Sequence, residues 1–111
     1  MGKRRELIKG GTDSLLLCLL GQQPMYGYQI IRELENRSQG YFKYKEGTLY
    51  PALHRLEKSG LLSAQWHTAL GARQRRYYHI TEKGRDVLVE RRSQLLDFFA
   101  AMNTIIQPIN A

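Results

Sequence analysis

Residues 46–62 carry the side chains of this chain that are best suited to specific hydrogen bonding. Leucines recur there at helical spacing and predict one buried stripe: Leu49, Leu53, Leu56 and Leu61. The opposite face offers hydroxyls, an imidazole and cations but no carboxylate: Thr48, Tyr50, His54, Arg55 and Lys58. Such groups complement the base edges and phosphates of the DNA major groove. The segment therefore predicts a DNA-reading helix, with an ordinary surface helix as the alternative.

Basic residues are concentrated on both sides of this segment. Seventeen Lys and Arg against ten Asp and Glu give a net charge of +7, which favours nucleic acid over membrane as a partner. Lys43 and Lys45 precede the helix. Residues 61–81 contain no acid and three clustered arginines, Arg73, Arg75 and Arg76. We expect these five side chains to contact DNA, with the alternative for Arg76 that its side chain points toward the sheet.

Other kinds of site are poorly supported. His54, His67 and His79 are scattered, and no Ser/His/Asp or paired-carboxylate arrangement is apparent, so the sequence predicts neither an enzyme nor a cofactor. His67 and His79 could face each other across a hairpin, but two imidazoles without a nearby cysteine or carboxylate are a weak metal signal, and no metal site is expected. Gly10-Gly11 is interpreted as a helix-breaking pair and not as a nucleotide-binding loop.

Length and composition indicate one modest globular domain. The chain has 111 residues, 42% of them hydrophobic, and no apolar run approaches the ~20 residues of a membrane span. The single cysteine, Cys18, is expected to be a small core residue in a reducing cytoplasm. The sequence thus predicts a cytoplasmic protein.

Three helices are expected before the basic segment. Thr12 or Asp13 could cap a first helix over residues 14–20, and a second helix is expected over about 26–38. Because Pro51 is tolerated only near a helix start, the third helix is expected to begin around Gly47 or Thr48, or to bend there. Gly60 would supply its left-handed C-terminal cap.

Two strands, at about 62–67 and 75–80, are expected to form a hairpin with Gly71 in its loop. Three helices followed by a basic hairpin is the order of a winged helix-turn-helix, in which the third helix enters the major groove and the wing lies on the backbone. The predicted fold class is therefore mainly α with a small β-hairpin wing and a long C-terminal helix.

That C-terminal helix should begin after Thr81 and extend to about Gln107. A small winged domain can cover only its first turns, so the remaining apolar side chains predict a dimer interface. The residues expected there are Leu88, Leu95, Leu96, Phe99, Met102 and Ile106. Residues 1–80 would form the DNA-binding domain and 81–111 the dimerisation helix. Two such domains would read an inverted repeat with half-sites ~34 Å apart, unless the helix folds back on its own domain.

Three motifs resemble the PadR family of transcriptional regulators, at matching spacings over nearly the whole chain. They are Y-G-Y-Q-I from Tyr26, G-T-L-Y-P-A-L-H-R-L-E-K-S-G-L-L from Gly47 and R-R-Y-Y-H-I-T-E-K-G from Arg75. The length is similar to that of the short subgroup with one C-terminal dimerisation helix. The resemblance implies a homodimeric DNA-binding regulator, most often a repressor released by a small hydrophobic effector.

The resemblance also assigns positions, with two departures. Tyr28 matches the family's tyrosine at the start of the second helix. Lys45 stands where a small capping residue is common, so the third helix is expected to rely on Glu46 and the helix dipole. Leu95 occupies about the position at which multidrug-binding members can carry a drug-stacking tryptophan. The only tryptophan here, Trp66, lies in the wing.

Two other functions compete with this interpretation. A winged helix could bind a protein without reading DNA sequence, and salt dependence would separate that case from duplex binding. RNA binding is disfavoured because most aromatic residues lie at positions expected in the core and not on an exposed stacking sheet.

Overall fold

The computed structural model describes residues 2–68 and 73–107, with side chains from Gly11 onward. Its elements follow the order α1 (Gly2–Leu20), β1 (Met25–Tyr26), α2 (Gly27–Arg37), α3 (Glu46–Lys58), β2 (Leu62–Thr68), β3 (Gln74–Ile80) and α4 (Glu82–Ile106). The three strands form an antiparallel sheet in the order β1-β3-β2. The predicted mainly helical fold with a small hairpin is confirmed; β1 is an additional strand that the sequence did not suggest.

A leucine-rich core fixes the orientation of α3. Leu16, Leu17 and Leu20 of α1 are almost completely buried with Leu49 and Leu53 of α3. Met25, Ile30 and Tyr78 extend this cluster to β1, α2 and β3. Because every element before α4 contributes to one cluster, α3 is held along its whole apolar stripe, as its leucine spacing predicted.

The predicted start of the first helix is wrong. The helix continues through Gly10 and Gly11, and neither Thr12 nor Asp13 caps it. Thr12 is buried, and its hydroxyl is hydrogen-bonded to the Tyr44 hydroxyl at 2.9 Å. The Asp13 carboxylate accepts a hydrogen bond from Arg55 at 3.1 Å. Both side chains that resembled local caps are thus used in contacts with later parts of the chain.

Helix α3 begins at Glu46, slightly before the predicted start, and contains Pro51 as its sixth residue. The carbonyl that Pro51 leaves without an i+4 donor belongs to Gly47, which is exposed in the first turn and can be hydrated there. Lys45 makes no side-chain capping bond, and Glu46 supplies a negative charge to the first turn. The expected reliance on Glu46 at this helix start agrees with that geometry.

The predicted cap after α3 is confirmed. Gly60 has a φ of +80°, a left-handed conformation that costs a glycine little. Its N–H donates to the Glu57 carbonyl at 3.0 Å, and the Leu61 N–H donates to the Leu56 carbonyl at 2.9 Å. These two bonds are those of a Schellman motif, which turns the chain directly into β2.

The start of α4 is joined to the end of α3. The Thr81 hydroxyl accepts from the Gly84 N–H at 3.0 Å, as expected of a cap, and donates to the Gly60 carbonyl at 2.6 Å. The Thr81 N–H donates to the Leu61 carbonyl at 3.0 Å. The Lys83 ammonium donates to the Ser59 carbonyl at 3.1 Å. We call this set of contacts the α3–α4 joint.

Only the first turns of α4 pack against the domain. Val87 and Leu88 lie against the core, and Leu88 approaches Gly21 at the end of α1. Leu88, which was predicted to lie in a dimer interface, is half-buried against its own domain. Its place in the interface stays a prediction, as does the domain boundary after residue 80. Beyond these turns α4 extends from the domain, and the molecule measures 59 × 28 × 26 Å.

Among the described residues, no helix has the length and apolar character needed to cross a membrane.

Candidate nucleic-acid interface

The polar face of α3 points away from the core. Thr48, His54 and Lys58 are exposed, while Leu49 and Leu53 behind them are buried. Every residue that the sequence placed on the reading face lies on the outer side of α3, but two of them, Tyr50 and Arg55, have partners within the protein. These residues therefore differ in which of their polar groups remain available to a ligand.

Tyr50 is half-buried because its ring lies against the backbone of Gly27, the first residue of α2. A Cβ at position 27 would stand 2.7 Å from two ring carbons of Tyr50 and would overlap its hydroxyl oxygen. Burial, and secondarily the charge of Glu46, raises the pKa of Tyr50. The hydroxyl is consequently a neutral donor and acceptor at pH 7, held at the junction of α2 and α3.

Arg55 is paired with α1. One of its terminal nitrogens donates to the Asp13 carboxylate at 3.1 Å, and the Arg55 side chain remains 46% exposed. An exposed pair of this kind contributes little to stability. It does, however, direct the guanidinium toward α1 and offset part of its charge.

Arg76 connects the hairpin to α3. Its Nη2 donates to both carboxylate oxygens of Glu57, at 2.8 and 3.0 Å. The guanidinium also lies 5.7 Å from the centroid of the buried Tyr78 ring. Burial is the main cause that raises the pKa of Tyr78, so this phenol is neutral as well. Arg76 was predicted to contact DNA, but the structure places its charge in an internal ion pair.

The two other arginines of the hairpin have different surroundings. Arg73 is exposed immediately before β3. Arg75 lies over the Tyr26 ring, with its guanidinium carbon 4.3 Å from the centroid. Tyr26 in turn makes an edge contact with Tyr77 at 5.4 Å. Stacking on Tyr26 orients Arg75 without neutralising it.

Between α3 and the hairpin lies an open cleft of about 630 Å³, which the start of α2 closes on one side. Its lining combines aromatic rings with cations and includes Tyr28, Tyr50, His54, Trp66, Arg73 and Arg76. Trp66 was not identified as a site residue from the sequence. The alternation of β2 could have revealed it, because Trp66 lies on the same strand face as Ala64, the neighbour of Tyr78 in the sheet.

Lys43 and Lys45 are exposed in the connection between α2 and α3. Tyr41 is 82% exposed beside them, whereas Phe42 and Tyr44 stack on each other with ring centroids 6.1 Å apart. The hydrogen bond between the Tyr44 and Thr12 hydroxyls fixes this connection to α1. Both lysines thus precede the first turn of α3 on an anchored segment.

The histidines of the hairpin form a pair away from the cleft. The Nε2 atoms of His67 and His79 are 3.4 Å apart, although the two residues are not direct partners in the strand register. Burial, with the neighbouring His67 as a second cause, lowers the pKa of His79. Among the described residues, no three His, Cys, Asp or Glu side chains are grouped to hold a metal ion.

The second feature of functional interest is the outer part of α4. Its apolar side chains are 40–77% exposed: Leu96, Phe98, Phe99, Met102, Ile105 and Ile106. Phe99, Met102 and Ile106 line a shallow groove of about 440 Å³. Leu95 is half-buried. From the sequence we also expect Leu7 and Ile8 of the N-terminal segment to close over these side chains; both lie outside the part of the chain whose side chains are described.

Comparison with protein families gives one match that covers most of the chain. The model of the transcriptional regulator PadR-like family matches residues 16–90. A protein of Lysinibacillus sphaericus that has no assigned function is 36% identical over 103 residues, which are 93% of this chain and 91% of that protein. The transcriptional regulator Rv3488 of Mycobacterium tuberculosis is 39% identical over 91 residues, or 82% of this chain and 81% of its own length.

Solved structures agree with this comparison. A transcriptional regulator from Clostridium thermocellum superposes with a TM-score of 0.79 and 28% identity, covering 91% of this chain and 95% of that one. A PadR-like transcription factor from Bacteroides fragilis superposes with a TM-score of 0.77 and 30% identity, covering 95% and 99%. Both likenesses extend from the winged domain into α4.

Proposed function

Because the chain belongs to the PadR-like family of transcriptional regulators, we propose that it binds double-stranded DNA as a homodimer and represses transcription there. The family consists of regulators and not of enzymes. The observation that best supports DNA as the ligand is the exposed face of α3, which presents Thr48, His54 and Lys58 beside a cleft that contains Arg73 and Arg75.

Sequence reading is assigned to α3. An imidazole at His54 and a hydroxyl at Thr48 can exchange hydrogen bonds with base edges, which differ from one base pair to the next in the major groove. Tyr50 would act mainly through position, since its ring is held against Gly27. His54 is accordingly the primary candidate for base contact.

Phosphate binding is assigned to the cations around α3 and the hairpin that have no carboxylate partner among the described residues. Arg73 and Arg75 would lie along the backbone from the hairpin, and Lys43, Lys45 and Lys58 from the ends of α3. Arg55 and Arg76 are placed second, because Asp13 and Glu57 already share their charge. Breaking either ion pair would offset part of the free energy that a new phosphate contact contributes.

Dimerisation is assigned to the outer part of α4. A row of apolar side chains that includes Leu96, Phe99 and Met102, each 43–55% exposed, is costly to leave in water. Pairing two copies about a two-fold axis would cover this row and present two α3 helices to half-sites ~34 Å apart. A small hydrophobic effector could occupy the groove beside Phe99 and alter that spacing. The protein would act in the cytoplasm, where its DNA lies.

The test is binding of the purified protein to duplex DNA from the region upstream of its own gene, measured against a shuffled duplex. We expect preference for an inverted repeat and an affinity that falls steeply with salt, because each neutralised phosphate releases counterions. Affinity that is independent of salt, or equal for both duplexes, would favour the alternative of a protein-binding winged helix. Sedimentation of the protein on its own tests the dimer separately.

A further inference from the structure

We propose that Trp66 is a DNA-backbone contact, with its indole N–H donating to a phosphate and its ring lying against the adjoining deoxyribose. This inference rests on the proposed function and adds to it a neutral contact near the loop end of the hairpin.

The exposure of Trp66 is the first observation. It is the only tryptophan of the chain and is 65% exposed, although a tryptophan normally buries most of its large ring. Within the described part of the chain its indole N–H has no hydrogen-bond partner, and its ring stacks on no other ring. Tryptophan with an apolar body and a free polar tip is characteristic of binding surfaces.

The location of Trp66 is the second observation. In the sheet register it pairs with Arg76, whose salt bridge to Glu57 holds the hairpin against α3. Its ring lines the same cleft as His54 of α3 and Arg73 of the hairpin. A duplex that places its major groove on α3 must run its backbone past the hairpin, so the ring lies where sugar and phosphate would pass.

The chemistry of the indole fits a phosphate and not a base edge. Indole has one donor and no acceptor, so it can bond a phosphate oxygen but cannot make the paired donor–acceptor contacts that distinguish bases. The surrounding arginines would supply the attraction that brings a phosphate there. Trp66 should therefore strengthen binding to every duplex alike.

The loss of a neutral donor and the loss of a cation change the salt dependence of DNA binding differently. Loss of an arginine–phosphate contact lowers both the affinity and its dependence on salt, because fewer counterions are released. Loss of the indole N–H should lower the affinity and leave the salt slope unchanged. This combination separates a direct neutral contact from a change in the charge of the hairpin.

The experiment uses the full-length protein and two readouts on the same samples. Anisotropy of a fluorescently labelled duplex reports whether DNA binds. Emission of Trp66, excited selectively over the seven tyrosines, reports its surroundings, and acrylamide is the quencher because it is uncharged and not repelled by DNA. We expect saturating duplex to shift the emission and to reduce acrylamide quenching along the same binding curve as the anisotropy.

Variants then test the energetic contribution. Trp66→Phe should weaken binding to specific and shuffled duplexes equally, by about 12- to 160-fold for one hydrogen bond to a charged acceptor, with an unchanged salt slope. Gln65→Ala is the matched control, because Gln65 is exposed on the other face of the same strand and should bind as the parent does. Circular dichroism of each variant verifies the fold.

The outcomes are distinguishable. Duplex binding with unchanged emission and unchanged acrylamide quenching would overturn the Trp66 contact and leave the proposed function standing. A Trp66→Phe variant with parental affinity would also overturn it. Absence of anisotropy change with every duplex would overturn the proposed function itself.

Discussion

The contact between Gly27 and Tyr50 predicts an unusual response to a one-carbon substitution. Gly27→Ala adds a Cβ that would stand 2.7 Å from two carbons of the Tyr50 ring. Overpacking of this kind costs about 1–3 kcal/mol. Alanine, however, stabilises a helix relative to glycine by at most ~1 kcal/mol, and less at the first position of α2. The net change in the free energy of unfolding should be a loss of about 0–3 kcal/mol.

A double-mutant cycle isolates the steric part. In a Tyr50→Ala background the ring is absent, so Gly27→Ala should become neutral or stabilising by up to ~1 kcal/mol. The coupling free energy between the two positions should thus be about 1–3 kcal/mol. Urea unfolding of the four proteins at one fixed protein concentration measures it, since the stability of an oligomer depends on concentration.

The same four proteins show whether the Tyr50 ring stays in place or rotates when position 27 carries a methyl group. If the ring yields by rotating away from Gly27, Gly27→Ala should leave stability almost intact and still weaken specific duplex binding, because the rotated ring intrudes into the cleft. Equal destabilisation by Gly27→Ala with and without the Tyr50 ring would refute the steric reasoning. So would a variant that matches the parent in both stability and DNA affinity.

Four further outcomes are expected. His54→Ala should reduce the preference for the inverted repeat over a shuffled duplex by ~1–3 kcal/mol, and an equal loss on both duplexes in a gel-shift titration would make His54 a phosphate contact. Replacing Arg73 and Arg75 together by alanine should flatten the slope of log affinity against log salt by about two units, and an unchanged slope would remove the hairpin from the interface. Phe99→Asp should give a monomer in sedimentation, because losing a Phe from an apolar contact costs ~3–5 kcal/mol and the substitution occurs in both subunits of a two-fold dimer. The control Glu90→Gln should remain dimeric. The pKa of His79 in the folded protein lies below its ordinary value, so the unfolded chain binds a proton more readily at this residue. The free energy of unfolding should therefore fall as the pH falls below about 6.5. His79→Gln should reduce that fall in denaturant titrations.

Local signals in the sequence were sufficient for most of the fold. The leucine spacing of α3, the left-handed Gly60 and the Thr81 cap each specify their element within a few residues, and all three occur as expected. Their success has one physical cause: the stabilising contacts join residues that are close in sequence. The same holds for the hairpin, whose strands differ from the predicted bounds by one residue each.

The failures involve contacts between residues that are distant in sequence. Thr12 and Asp13 have the composition of a helix cap, but their partners Tyr44 and Arg55 lie 32 and 42 residues away. Arg76 likewise has its carboxylate partner, Glu57, 19 residues away. Tertiary contacts of this kind have no periodic signature, so the sequence could not show which of the predicted DNA-binding cations have a carboxylate partner within the protein.

The α3–α4 joint has a mechanical consequence. Thr81 and Lys83 attach the first turn of α4 to the last residues before β2, and a Cβ at Gly84 would collide with the Leu61 carbonyl, so the two helices meet with little room to slide. Helix α4 is then a rigid rod of ~37 Å that is attached at one end to the C-terminus of α3. A shift of ~3 Å at its far end, where Ile106 lies, corresponds to a rotation of only ~5° at the joint. In the proposed dimer, small changes in the crossing angle of the two α4 helices would therefore change the angle at which each α3 helix meets the DNA groove.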